Sequence, residues 1–246
     1  MESLIIAHRG FNGVYPEMTR LAYEKALELP GLHGVETDVR LSADGQVMCT
    51  HDANTLRTTG EKRWVSMTNA ARLKSLNCAH GTRWASQSML TLDELIELVF
   101  AHDDKHLYIE AKHPHRHGRM LEEQVCLRLR YHGLLDSERV HVISFSHAAI
   151  RRIGKLAPAL ETFYLRRNYE QFFDSARMGW SRPSGYGISI AHAKLHPERI
   201  DAPTAPTYMW TVNEEEDIYF ALEQGVRVIS TDFPDRALAI KAGFEA

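Results

Sequence analysis
Short apolar runs alternate with amphipathic stretches along the 246-residue chain, and that alternation predicts its elements. Leu4-Ile5-Ile6-Ala7 is apolar at every position and gives way to polar His8-Arg9-Gly10, as a strand buried on both faces does where it leaves a parallel sheet. Thr19 can cap a helix over 20–29, which Pro30-Gly31 stops. Further strands are expected to begin near Val35, Leu107, Val140, Leu160, Tyr186, Thr207 and Val226. Between them, helical spacing of apolar residues predicts helices over 92–101, 119–131, 146–156, 169–178, 193–199, 214–223 and 234–242. Eight strand-helix repeats in a chain of this length predict a (β/α)8 TIM barrel. An open doubly wound sheet is the alternative, but no glycine-rich dinucleotide or phosphate loop follows the first strand. The polar stretch over 57–89, with a short helix capped by Thr68, reads as a small insertion into one barrel domain spanning 1–246.

The second unit carries the chemistry. Val35, Thr37 and Val39 alternate with Glu36, Asp38 and Arg40, so two carboxylates share one face of a strand. Ser42-Ala43-Asp44-Gly45 is a turn signal, and 46–50 reads as the returning strand of a hairpin. A turn centred on Ala43-Asp44 sets His51 opposite Glu36, and one centred on Asp44-Gly45 sets it opposite Asp38. Two acids and an imidazole on one face suit a hard divalent cation such as Mg²⁺ or Ca²⁺. A solvated hairpin face with a salt bridge to Arg40 is the competing reading of the segment.

Composition narrows the class. A net charge of −3 gives no electrostatic case for nucleic acid or an anionic membrane. Three cysteines without a CxxC spacing suggest neither a disulfide framework nor a structural zinc site. The apolar run before His8 is four residues long, too short for a signal-peptide core or a membrane span, so a cytoplasmic protein without an integral membrane segment is expected. The alternating His113, His115 and His117 read as a solvated loop, and Asn213 as the cap of the helix that follows. Oligomeric state is left open.

In a barrel the C-terminal strand ends meet at one mouth, which would gather His8, Arg9, Glu36, Asp38, His51, Glu110, Lys112, Trp210 and Asn213. Three carboxylates, two cations and two imidazoles read as a phosphate site. The ordered blocks AHRG at 7–10, PEMT at 16–19, VETDVRLSADG at 35–45, THD at 50–52 with LRTTG following, IEAK at 109–112, SF at 144–145, WTVN at 210–213 and GVRVISTDFP at 225–234 resemble the glycerophosphodiester phosphodiesterase family over essentially the whole chain.

That resemblance implies a barrel that cleaves glycerophosphodiesters, small-molecule substrates, into sn-glycerol 3-phosphate and an alcohol with one divalent cation, Mg²⁺ or Ca²⁺. It places the catalytic histidines on His8 and His51, the metal carboxylates on Glu36, Asp38 and Glu110, and the phosphate-binding cations on Arg9 and Lys112. Trp210 joins them at the mouth as packing or as a substrate platform, and Glu17 matches an acid often close to the metal cluster. Met18 departs from the family pattern, where Asn is usual. Two rival functions are a phospholipase D-like barrel acting on lysophospholipid or sphingomyelin, and a non-catalytic barrel that keeps a phosphate or metal site.

Overall fold
The computed structural model describes residues 2–167, 180–200 and 205–244. In chain order the strands are β1 (Leu4–Ala7), β2 (Gly34–Leu41), β3 (Val47–Cys49), β4 (His106–Ala111), β5 (Val140–Ser144), β6 (Glu161–Leu165), β7 (Gly185–Ser189), β8 (Thr207–Trp210) and β9 (Val228–Thr231). All but β3 run parallel in the order β1-β9-β8-β7-β6-β5-β4-β2, and β1 pairs with β2 to close the ring. The fold is the expected eight-stranded α/β barrel.

Alternation along the strands divides the apolar residues between two cores. Inward positions Ile6, Tyr108, Ile143, Phe163, Leu165, Tyr208 and Val228 fill the barrel. Outward positions such as Ile5, Val35, Ile109, Val142 and Ile229 pack with helix residues Leu95, Val99, Val125, Leu129, Ile153 and Ile218. Each such side chain, fully withdrawn from water, contributes about 1.5–3 kcal/mol, so the barrel wall is stabilised from both sides. The helices begin where polar side chains can satisfy their first amides: Thr19 before Arg20–Leu27, Thr91 before Leu92–Phe100 and Ser146 before His147–Leu156. No helix among the described residues is long and apolar enough to cross a membrane.

Several local expectations are corrected. The hairpin pairs Val39 with Cys49 and Leu41 with Val47, which puts one residue, Asp44, at the centre of its turn. Extended, that register would set His51 opposite Thr37 and on the wrong face, so neither expected pairing occurs. Pairing ends instead at Cys49, the Thr50 amide donates to the Asp38 carbonyl, and the chain turns away. Arg40 Nε then holds the His51 carbonyl at 2.7 Å, and the imidazole reaches the barrel mouth by leaving the sheet. In the insertion, the helix Ala70–Lys74 is not capped by Thr68, whose hydroxyl donates to Trp64 O; Asp44 of the hairpin turn accepts from the Ala70 amide at 3.0 Å. Met48, Val65, Leu73, Leu76 and Met89 give the insertion its own small core against the hairpin. The helix expected over 193–199 begins earlier, at Ile190, because Ser189 accepts from the His192 amide. The helix expected over 169–178 lies outside the described residues.

Candidate active site
The mouth is set by where parallel strands end. In register, Ala7 of β1 lies beside Thr231 of β9, so the next residues, His8 and Asp232, emerge side by side. His8 Nδ1 sits 2.7 Å from Asp232 Oδ1. Asp232 is itself fixed by Asn12 Nδ2 at 2.9 Å and Asn213 Nδ2 at 2.8 Å, while Asn213 Oδ1 accepts from the Asp232 amide. Asn213 therefore does not cap the helix Glu215–Glu223, whose N-cap is Glu214; its carboxamide holds the acid behind His8.

Arg9 and Gly10 turn the chain with φ of 55° and 77°. A Cβ at Gly10 would lie 2.8 Å from the backbone carbon of Ala22, so the turn packs directly on the first helix. This conformation aims the Arg9 amide at Glu36 Oε2, 3.1 Å away, and its Nε at Asp38 Oδ2, 2.9 Å away. Met18 is also left-handed, at φ 52°, a conformation Asn adopts more readily than Met. Its side chain is buried in the main core, and its amide donates to the Arg9 carbonyl at 3.0 Å.

Strand register also aligns Asp38 of β2 with Glu110 of β4. Glu36, Asp38 and Glu110 bring one oxygen each within 4.8 Å of the others, and all three are buried. Lys112 Nζ reaches Asp38 at 2.8 Å and Glu110 at 2.7 Å. Burial and the nearby Asp38 charge hold the Glu36 carboxyl well above its ordinary range and push Glu110 up to about 7. Burial opposes ionisation of Asp38 too, but Lys112 and Arg9 outweigh it and hold that carboxyl low. Both Asp38 oxygens are shielded from water without a well-aligned hydrogen bond and are held by cations alone. Such a set of hard oxygen donors fits a divalent cation.

His51 stands across the mouth with Arg40, Glu110, Lys112 and Phe145. Its Nδ1 lies 2.7 Å from Asp52 Oδ1, and burial lowers its basicity. Asp52 accepts from Arg57 Nε at 2.7 Å, and Arg57 grips both oxygens of Glu17. Glu17 also faces Arg9 at 3.4 Å, so it joins this ionic chain and is not one of the three converging carboxylates. Trp210 stands edge-on to Phe145 with ring centroids 5.4 Å apart, in space left by Gly187, where a Cβ would meet Trp210 at 2.7 Å. The His113 tract is not simply solvated: His113 Nε2 lies 2.8 Å from buried Glu122, and the His115 and His117 rings pack in series behind it. Sequence reasoning assigned nothing to Asp232, Asp52 and Arg57, although each lies inside a block that carried the resemblance.

Fold and site together define an α/β-barrel enzyme with buried carboxylates and cations gathered at its C-terminal mouth. The model of the glycerophosphoryl diester phosphodiesterase family matches residues 8–236. A Mycobacterium tuberculosis protein named "Probable glycerophosphodiester phosphodiesterase 1" is 36% identical over 96% of this chain and 91% of its own length. The glycerophosphodiester phosphodiesterase of Bacillus altitudinis is 34% identical over 96% of this chain and 97% of its own length. The crystal structure of an Oleispira antarctica phosphodiesterase in complex with the product sn-glycerol 3-phosphate has the same fold, with a TM-score of 0.86 and 24% identity over 96% of each chain. The chain belongs to the glycerophosphoryl diester phosphodiesterase family.

Proposed function
We propose that the chain hydrolyses a glycerophosphodiester to sn-glycerol 3-phosphate and an alcohol, with His8 and His51 moving the protons. The observation that carries this reading is the matched state of the two imidazoles. Each has Nδ1 against a carboxylate at 2.7 Å, Asp232 for His8 and Asp52 for His51. Each acid keeps the proton on Nδ1, which leaves Nε2 as the working nitrogen.

Glu36, Asp38 and Glu110 would hold one divalent cation, Mg²⁺ or Ca²⁺. When bound, that cation supplies positive charge to polarise the phosphodiester. Arg9 and Lys112 offset the charge that grows on the phosphoryl oxygens. One imidazole takes a proton from the attacking hydroxyl, either water or the glycerol 2-hydroxyl, and the other gives a proton to the departing alkoxide as the P–O bond breaks. Attack by the 2-hydroxyl leaves a cyclic phosphate that water then opens; attack by water gives the product directly. Trp210 and Phe145 form an apolar wall beside Lys112, suited to the carbon face of glycerol. A cytoplasmic location and a one-domain organisation belong to the same proposal, checked by cell fractionation and by limited proteolysis.

Chelator-stripped protein should release sn-glycerol 3-phosphate from glycerophosphocholine or glycerophosphoethanolamine once Mg²⁺, Ca²⁺ or Mn²⁺ is restored. Silence with every ion from folded protein, or preferred cleavage of a long-chain lysolipid, would overturn the reading.

A further inference from the structure
At the opposite end of the barrel three imidazoles converge on neighbouring strands. His33 precedes β2, His106 opens β4, and His141 is the second residue of β5. Strand register sets Gly34 beside His106 and Tyr108 beside His141, so the rings gather beneath the aromatic layer of Tyr108, Phe163 and Tyr208. His106 Nδ1 is 2.9 Å from His141 Nε2, and the His33 and His106 ring centroids are 3.8 Å apart. One ring nitrogen from each residue lies within 4.8 Å of the others. Beside them is a cavity of about 340 Å³ that also touches Glu138, Glu161 and Arg227.

We propose that His33, His106 and His141 form a second metal site, at the N-terminal end of the barrel, for a zinc-class divalent cation. Imidazole donors select Zn²⁺ and its neighbours over the hard ions that suit the carboxylate mouth. A tetrahedral zinc site with bonds of about 2.0–2.1 Å needs nitrogens about 3.3 Å apart, so the His106–His141 pair opens by a few tenths of an ångström. His141 Nδ1 lies 2.8 Å from Glu161 Oε2 without a well-aligned hydrogen bond, and a small turn of the ring would complete the carboxylate-imidazole pair that leaves Nε2 as the metal donor. The hydrogen in the His106–His141 contact must then sit on His106 Nδ1, and a cation takes its place when His106 changes tautomer. The nearby guanidiniums are directed elsewhere, Arg139 to the carbonyls of His102 and Lys105 and Arg227 to that of Glu2. A further imidazole cluster among the described residues, His113, His115 and Glu122, is less suited because Arg152 already occupies Glu122 Oε1 at 2.9 Å.

The test is a Zn²⁺ titration of the chelator-stripped full chain against a chromogenic zinc indicator. One tight equivalent is expected, retained in Glu110→Gln and in His115→Gln, and weakened about 10–100-fold or more in His106→Gln and His141→Gln. A tight equivalent that survives the His106 and His141 substitutions, or no tight equivalent, would overturn the proposal. Anomalous scattering from zinc-soaked crystals of the unaltered chain locates the ion without any variant. Density among the three imidazoles supports the site; density only at Glu36–Asp38–Glu110 or at His113–Glu122 refutes it.

Discussion

His8 and Asp232 are 224 positions apart in the chain, yet their side chains meet at 2.7 Å because β1 and β9 are parallel neighbours in register. Asp232→Asn keeps the shape but presents the wrong hydrogen-bonding partner to Nδ1, so kcat should fall at least about 10²-fold with KM little changed. The acid also stabilises the fold with a definite pH sign. Burial favours its neutral form, but the hydrogen bonds and charge of His8, with Asn213 and Asn12, hold the carboxyl below its ordinary value. A lowered carboxyl binds fewer protons folded than unfolded, so its contribution is complete above about pH 4 and is lost as pH falls through the folded value. Denaturant titrations should show the stability gap between wild type and Asp232→Asn shrinking below that pH. A gap independent of pH would mean that Asp232 does not carry the charge assigned to it.

The two imidazoles should separate by leaving group. His8→Asn and His51→Asn should each lose about 10²–10⁴-fold in kcat on glycerophosphocholine. An aryl diester whose phenolate leaves without protonation should recover most of that loss in the variant lacking the proton donor and none in the other. Equal recovery in both variants, or near-normal turnover in either, would remove the paired-imidazole mechanism.

The three buried carboxylates should respond in opposite ways to losing charge. Glu110 is pushed up to about 7 and, like Glu36, is easily neutralised, so Glu110→Gln should change folding stability by less than about 1 kcal/mol. Asp38 is the acid that Arg9 and Lys112 both grip, and Asp38→Asn should cost about 3–5 kcal/mol by stranding them. Calorimetric titration with Mg²⁺ and Ca²⁺ should nonetheless show weaker cation binding in both variants. Unchanged affinity in Glu110→Gln would place the cation elsewhere.

Met18→Asn tests whether the left-handed backbone or the buried side chain matters more. Asn relieves part of a conformational cost of about 1–2 kcal/mol, while losing a buried Met forfeits about 1.5–3 kcal/mol. Burial should win, with a net destabilisation of about 1 kcal/mol in thermal melts and turnover within a few-fold of wild type. A large gain in turnover would show that an amide at this position serves the chemistry.

The elements were legible because each is written within a few residues. Leu4 to Ala7 is apolar throughout, Leu92, Leu95, Ile96 and Val99 recur at helical spacing, and eight such units in order leave a closed barrel as the simplest arrangement. Most of the membership of the mouth was legible too, since polar residues near or just past the C-terminal ends of parallel strands share one end, whereas His51 was expected there from a hairpin register that does not occur. His8, Glu36, Asp38, His51, Glu110 and Lys112 all gather there.

What the sequence by itself determined is therefore the sequence of elements, the barrel, and most of the residues that face its C-terminal mouth. Tertiary structure alone decided who holds whom: Asp232 behind His8, Arg57 between Asp52 and Glu17, Asn213 on Asp232 instead of on a helix end, and His51 turned out of its hairpin. Period and capping are local, and neighbouring residues specify them. A pairing across 224 positions depends on strand register and barrel closure, and a single-residue shift in a hairpin turn reverses a face, so these contacts exist only once the ring has closed.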